Sequence, residues 1–123
     1  MLKTAAMVFG IVFVLIGVLG FVPGITNNQM LLGLFHIDTL HNIIHLASGA
    51  AALALMSSTA NAKLYFQIFG VVYALVTILG FVQYNDTLLL GFLATNPADD
   101  YLHLVIAIVS LYLGFGSREA EVA

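Results

Sequence analysis

The chain contains no cysteine, no tryptophan, two prolines and only three basic residues in 123. Without cysteine there is neither a disulfide nor a thiolate ligand, so any metal site would rest on imidazole and carboxylate groups. The shortage of charge excludes more. Asp, Glu, Lys and Arg together make up 7% of the sequence, against roughly a quarter in a soluble domain. Three basic residues give no surface for nucleic acid. Also missing are a nucleophile elbow, a phosphate loop and a nicotinamide fingerprint, so no enzyme is expected. The first and third apolar segments lack the midplane breaks and polar lining of a transporter.

What remains is apolar. The hydrophobic set accounts for 62% of residues, and the mean hydropathy is +1.09. A helix needs about 20 apolar residues to cross a bilayer, and four segments offer them, roughly 4–22, 39–58, 64–83 and 98–115. The expectation is an all-α, integral membrane four-helix bundle in one domain, 1–123, with the lipid bilayer as its first partner. Lys3 precedes the first apolar run, as in a leader peptide. Yet a similar run recurs internally at 68–82, and no small-x-small signal precedes Pro23, so residues 1–22 are expected to stay as a helix.

Lys3, Lys63 and Arg118 all fall on one side of an even-numbered bundle, while the other two connections have no basic residue. The positive-inside rule then predicts cytoplasmic N- and C-termini for a multi-pass protein of the inner (plasma) membrane, or of the thylakoid in a photosynthetic organism.

The chain also repeats itself. Phe9–Val22 matches Phe69–Val82 at an offset of 60, with 8 of 14 positions identical. A second block aligns at an offset of 58, setting Leu31-Leu32-Gly33 on Leu89-Leu90-Gly91 and His45-Leu46 on His103-Leu104. Two tandem, parallel helix-pair repeats follow, 5–58 and 64–115, related by a pseudo-twofold axis along the membrane normal. Each repeat carries an apolar pentad, Leu31–Phe35 or Leu89–Leu93, too short to span and expected at the outer interface or the top of the bundle. A helix cap follows each pentad: Asp38 before Thr39, and Asn96 before Pro97. Gly10, Gly17 and Gly20 align with Gly70, Thr77 and Gly80, a small-residue stripe suited to close helix packing.

The chemistry lies in four matched side chains. His41-x-x-x-His45 in the first half answers Asp99-x-x-x-His103 in the second. Residues four apart share a helix face, and an ionisable group in a membrane helix normally faces protein, a partner or an ion. All four sit within two turns of the caps, toward the extracytoplasmic side. Three readings fit them. His41, His45, Asp99 and His103 suit zinc or another divalent metal. His45 and His103 are placed to hold haem or another tetrapyrrole axially, with Ser48, Gly49, Ala50, Ala51 and Ala107 leaving room. Or Asp99 accepts from a histidine across the bundle in a polar cluster without a cofactor.

Neighbouring polar residues are given lesser roles. Asn42 and Asp100 are equivalent to each other but point about 100° away from the site face, toward interface water or a loop. His36, whose counterpart is Ala94, reads as an interfacial histidine, and Gln67 as an interface marker. Asn27-Asn28 and Asn85-Asp86 are turn formers. Glu119 and Glu121 belong to a polar tail. Phe9, Phe21, Tyr65, Phe81, Tyr84, Tyr101 and Tyr112 fall at segment ends, as interfacial anchors do.

Gly17-Val18-Leu19-Gly20-Phe21-Val22-Pro23-Gly24-Ile25-Thr26, Leu32-Gly33-Leu34-Phe35 and His41-Asn42-Ile43-Ile44-His45-Leu46-Ala47-Ser48-Gly49 together resemble the small bacterial membrane proteins of the domain of unknown function 4383 family, over residues 5–115. The resemblance implies four helices in the plasma membrane and assigns no activity. The expected role is a structural or accessory subunit of a membrane protein assembly, partnered by other integral membrane proteins or by a second copy. The alternative is a module binding metal, haem or another tetrapyrrole.

Overall fold

In the computed structural model, residues 1–83, 88–89 and 93–117 are described. Helices α1 (Leu2–Leu19), α2 (Thr39–Leu55), α3 (Thr59–Val82) and α4 (Pro97–Leu111) form a four-helix bundle, and α4 runs on into a π-helical turn, Tyr112–Gly116. α1 packs chiefly on α2, and α3 chiefly on α4, with α3 also touching α1 and α2. Three helical stretches are apolar and long enough to cross a membrane: Leu2–Leu19, Thr59–Val82 and Pro97–Gly116. The second expected span is shorter than the sequence suggested. α2 ends at Leu55 and has 17 residues, because the chain turns at Met56–Ser58 to let Ser58 cap α3 through the Asn61 N–H, 3.1 Å away.

Both expected caps are present. The Asp38 carboxylate accepts from the His41 N–H at 2.8 Å. The Asn96 side chain accepts from the Asp99 N–H at 2.9 Å, and Asp99 Oδ2 accepts in return from the Asn96 N–H at 3.0 Å, a capping box. These bonds satisfy helix-end donors that otherwise lack partners.

The connection after α1 is folded rather than laid flat. Strands β1 (Thr26–Asn27), β2 (Met30–Leu31) and β3 (Phe35–His36) pair antiparallel in order, with Leu31 facing Phe35. Asn28, Gln29, Leu32 and Gly33 take positive φ to make the turns. The pentad therefore divides: Leu31 is buried, whereas Leu32 and Leu34 are exposed. The matching connection between α3 and α4 has a two-stranded pair, β4 (Leu88–Leu89) and β5 (Leu93–Ala94). Tyr84, the Asn85-Asp86 turn, Leu90–Phe92, Arg118, Glu119 and Glu121 lie outside the described residues.

Buried positions recur at the offsets seen in the sequence. Leu2, Gly10, Phe13 and Gly17 of α1 are each 60 residues before Ala62, Gly70, Tyr73 and Thr77 of α3, and all are buried. His41, Asn42, His45, Gly49 and Ala52 of α2 are each 58 before Asp99, Asp100, His103, Ala107 and Ser110 of α4, again all buried. The small stripe on α1 faces α2, and that on α3 faces α4. A methyl group on Gly17 would meet Leu46, and one on Gly70 would meet Leu111. In lipid, which supplies no hydrophobic drive between helices, close packing of this kind is what holds a bundle together.

Asn42 and Asp100 contradict the expectation that they point outward. Both are buried. The Asn42 carboxamide fills the space left by the missing side chain of Gly20, and the Asp100 carboxyl fills that of Gly80. Glycine on the partner helix is the physical reason: it opens a notch that takes a polar head. Tyr65 is corrected as well. Instead of anchoring at an interface, it is fully buried and its hydroxyl donates to the Ser48 carbonyl at 3.0 Å. Gln67 also has a structural partner, donating from Nε2 to the Gly114 carbonyl of the π-helical turn at 2.9 Å.

A candidate metal centre of three imidazoles

His41 and His45 stand on one face of α2, one turn apart just after the Asp38 cap, and α4 contributes His103. Each of the three offers a ring nitrogen, and those nitrogens lie within 4.8 Å of one another. Ring centres are 4.4 Å apart for His41 and His45, 5.6 Å for His41 and His103, and 6.2 Å for His45 and His103. All three residues are essentially inaccessible, at 1–2% exposure. Both ring nitrogens of His45 and Nδ1 of His103 have no hydrogen-bond partner among the described residues. Leaving a buried polar group unbonded costs roughly 1–3 kcal/mol.

Aromatic rings brace the imidazoles. Phe13 of α1 lies 5.7 Å from His45, Tyr73 of α3 lies 5.5 Å from His103, and Phe13 and Tyr73 meet at 5.5 Å. Tyr73 is in turn fixed by a 2.9 Å hydrogen bond between its hydroxyl and Ser48 Oγ. A cavity of about 300 Å³ opens beside the cluster, bounded by His41, His45, His103, Ser48 and Tyr73 and by the apolar side chains Ile44, Phe69, Val72 and Val76.

Asp99 is held apart from this triad. Its Oδ2 accepts the N–H groups of Asn96 and His36, both at 3.0 Å, while Oδ1 is buried and has no partner among the described residues. It reaches a second cavity of about 220 Å³, whose wall also includes His45. His36, expected as an interfacial histidine, has partners of its own. Its backbone binds Asp99, its ring Nδ1 lies 3.2 Å from the Thr95 carbonyl, and the neighbouring Leu34 carbonyl accepts from Asn96 Nδ2 at 2.9 Å. The first connection therefore ties itself to the start of α4.

Two members of the site escaped sequence reasoning, Tyr73 and Phe13. Their signal was available in the repeat, since they occupy matched positions at an offset of 60 and each lies one helix away from a matched histidine position.

A family model described as Domain of unknown function (DUF4383) matches residues 3–116. No curated protein and no solved structure matches the chain.

Proposed function

We propose that this chain, which belongs to the DUF4383 family, is a metal-binding module of the membrane, holding one divalent transition ion on His41, His45 and His103. The observation that carries the reading is the convergence of three buried ring nitrogens within 4.8 Å. Neutral imidazoles suit zinc, and also copper, nickel and iron. Zinc–nitrogen bonds of about 2.0–2.1 Å place tetrahedral ligands roughly 3.4 Å apart, so small side-chain rotations would close the triad on an ion. Three protein ligands leave a fourth position open, as in zinc sites that bind water or a further ligand.

The site supports metal better than haem. An axial pair at His45 and His103 would need a flat macrocycle between them, and the three ring separations put His41 beside the midpoint of that pair, where the macrocycle would lie. The accessory-subunit role is separable, because it concerns what covers the exposed apolar faces of the helices, such as Ile11 and Leu15 of α1 or Leu75 and Ile78 of α3. A metal module could serve within such an assembly.

The matched burial at offsets of 60 and 58 supports two parallel helix-pair repeats, 5–58 and 64–115, with His45 and His103 as equivalent residues. With Lys3, Lys63 and Arg118 cytoplasmic, the triad lies toward the extracytoplasmic face of the plasma membrane.

Elemental analysis of protein purified in detergent tests the function. One equivalent of metal is expected, falling to near zero in His45→Ala and in His103→Ala. A metal-free wild type that also takes up no zinc, cobalt or copper on titration would overturn it, and a Soret band in its place would restore the haem alternative.

A further inference from the structure

The outward faces of α2 and α4 are matched in position and opposite in size. After Ile43, the exposed line of α2 is Ala47, Ala50, Ala54 and Ser57, all small. At the offset of 58 the same places on α4 are held by Val105, Ile108, Tyr112 and Phe115, which stand 58–63% exposed. Leu46 and Leu53 of α2 do not cover the small line, since they lean onto Gly17 and Gly10 of α1. The outward lines of α1 and α3 are bulky, with Ile11 and Leu15 or Val71 and Leu75 exposed. The two faces also lie at one depth. α2 and α4 start at the same end of the bundle, where the His36 N–H binds the Asp99 carboxylate at 3.0 Å, and their caps, Asp38 and Asn96, keep the same offset.

We propose that copies of this chain associate in the membrane through these faces, the Val105–Phe115 ridge of one copy lying along the Ala47–Ser57 face of the next. Helices in lipid associate by close packing, which small residues permit, and bulky side chains opposite them fill the space. The length of α2 favours a protein neighbour over lipid on that side: its 17 residues fall short of a span, and association is one way a short helix meets the thickness of a bilayer. Each copy offers one face of each kind, so the contact is heterologous and leaves a free α2 face at one end and a free α4 face at the other. Repeated, it builds a ring or a row rather than a closed twofold dimer. None of these side chains lines the cavity beside the imidazoles, so association is a property separate from metal binding.

The chain has no cysteine, so introduced cysteines report the contact without background. Ala50→Cys and Ile108→Cys chains, carrying different tags and oxidised together in one membrane, should give a disulfide-linked dimer bearing both tags, while either chain alone stays monomeric. Ala47→Cys with Val105→Cys should do the same. Both Ala50→Cys and Ile108→Cys on one chain should give a ladder of dimers, trimers and longer species. Adding Ala47→Leu to the Ala50→Cys chain should abolish the link by filling the face, and Ile11→Cys, the control for random collision, should not link to Ala50→Cys. Self-linking of Ala50→Cys would show a twofold α2 pairing and overturn the proposal. So would linking to Ile11→Cys as strong as to Ile108→Cys, or the absence of any link in chains that melt with the wild type, which would leave lipid or another protein on the face.

Discussion

Gly10 of α1 and Gly49 of α2 cross so closely that a methyl group on either would meet the other's carbonyl oxygen, at 3.1 Å for Gly10 and 2.8 Å for Gly49. This crossing sits one turn below His45 and sets how far α2 can stand from α1.

Gly49→Ala should lower stability by about 1–3 kcal/mol, as overpacking in a close-packed interior does, because its methyl group would press on α1 backbone at Gly10 and Val14. Gly20→Ala should cost less, since what it meets is the end of the Asn42 side chain. Thermal melts in a single detergent would compare them. Equal melting temperatures for wild type and Gly49→Ala would contradict the crossing.

Zinc should raise the melting temperature of the wild type. Binding at a hundred times the dissociation constant stabilises by about 2.7 kcal/mol, and that gain should vanish in His45→Leu and His103→Leu. In the metal-free state the same two variants should be no less stable than wild type, because each removes a buried nitrogen with no partner. A large loss of stability without metal would mean the imidazoles are bonded in some other way.

Asn96→Ala should destabilise by more than the loss of a cap alone. Loss of a helix cap costs about 1 kcal/mol, but Asn96 also donates across to the Leu34 carbonyl. Proteolysis within residues 24–36 should accelerate in Asn96→Ala, since that connection loses a tie to α4. Unchanged cleavage there would argue against the tie.

Tyr65→Phe removes the hydroxyl that satisfies the Ser48 carbonyl and should cost about 1 kcal/mol. Its partner Ser48 lies one turn along α2 from His45 and the hydroxyl touches none of the three imidazoles, so metal stoichiometry should stay at one. Denaturant titration and elemental analysis on the same preparation would read both quantities.

Much of the fold was legible because lipid simplifies the signal: helices had to be apolar, and the caps at Asp38 and Asn96 marked where two of them begin. The meeting of His45 with His103 was legible from recurrence at matched positions. Asn42 and Asp100 were misread, since helical periodicity gives an angle but not the neighbour found at that angle, and the notches at Gly20 and Gly80 belong to other helices. Tyr65 was misread for a related reason. Its place near a segment end suggested an interface, whereas its hydroxyl is absorbed by a carbonyl of α2. Asp99 groups with the histidines by sequence equivalence to His41; what the sequence does not convey is that its Oδ2 accepts the backbone N–H groups of Asn96 and His36.

The unequal lengths of α2 and α3 bear on the bilayer itself. At about 1.5 Å per residue, the 17 residues of α2 extend roughly 26 Å and the 24 of α3 roughly 36 Å, one short of a typical hydrocarbon thickness near 30 Å and one beyond it. Thinning of lipid beside α2, or a lean of α3, accommodates such a difference. A membrane of different thickness would alter that mismatch, which makes acyl-chain length a natural variable for the stability of the bundle.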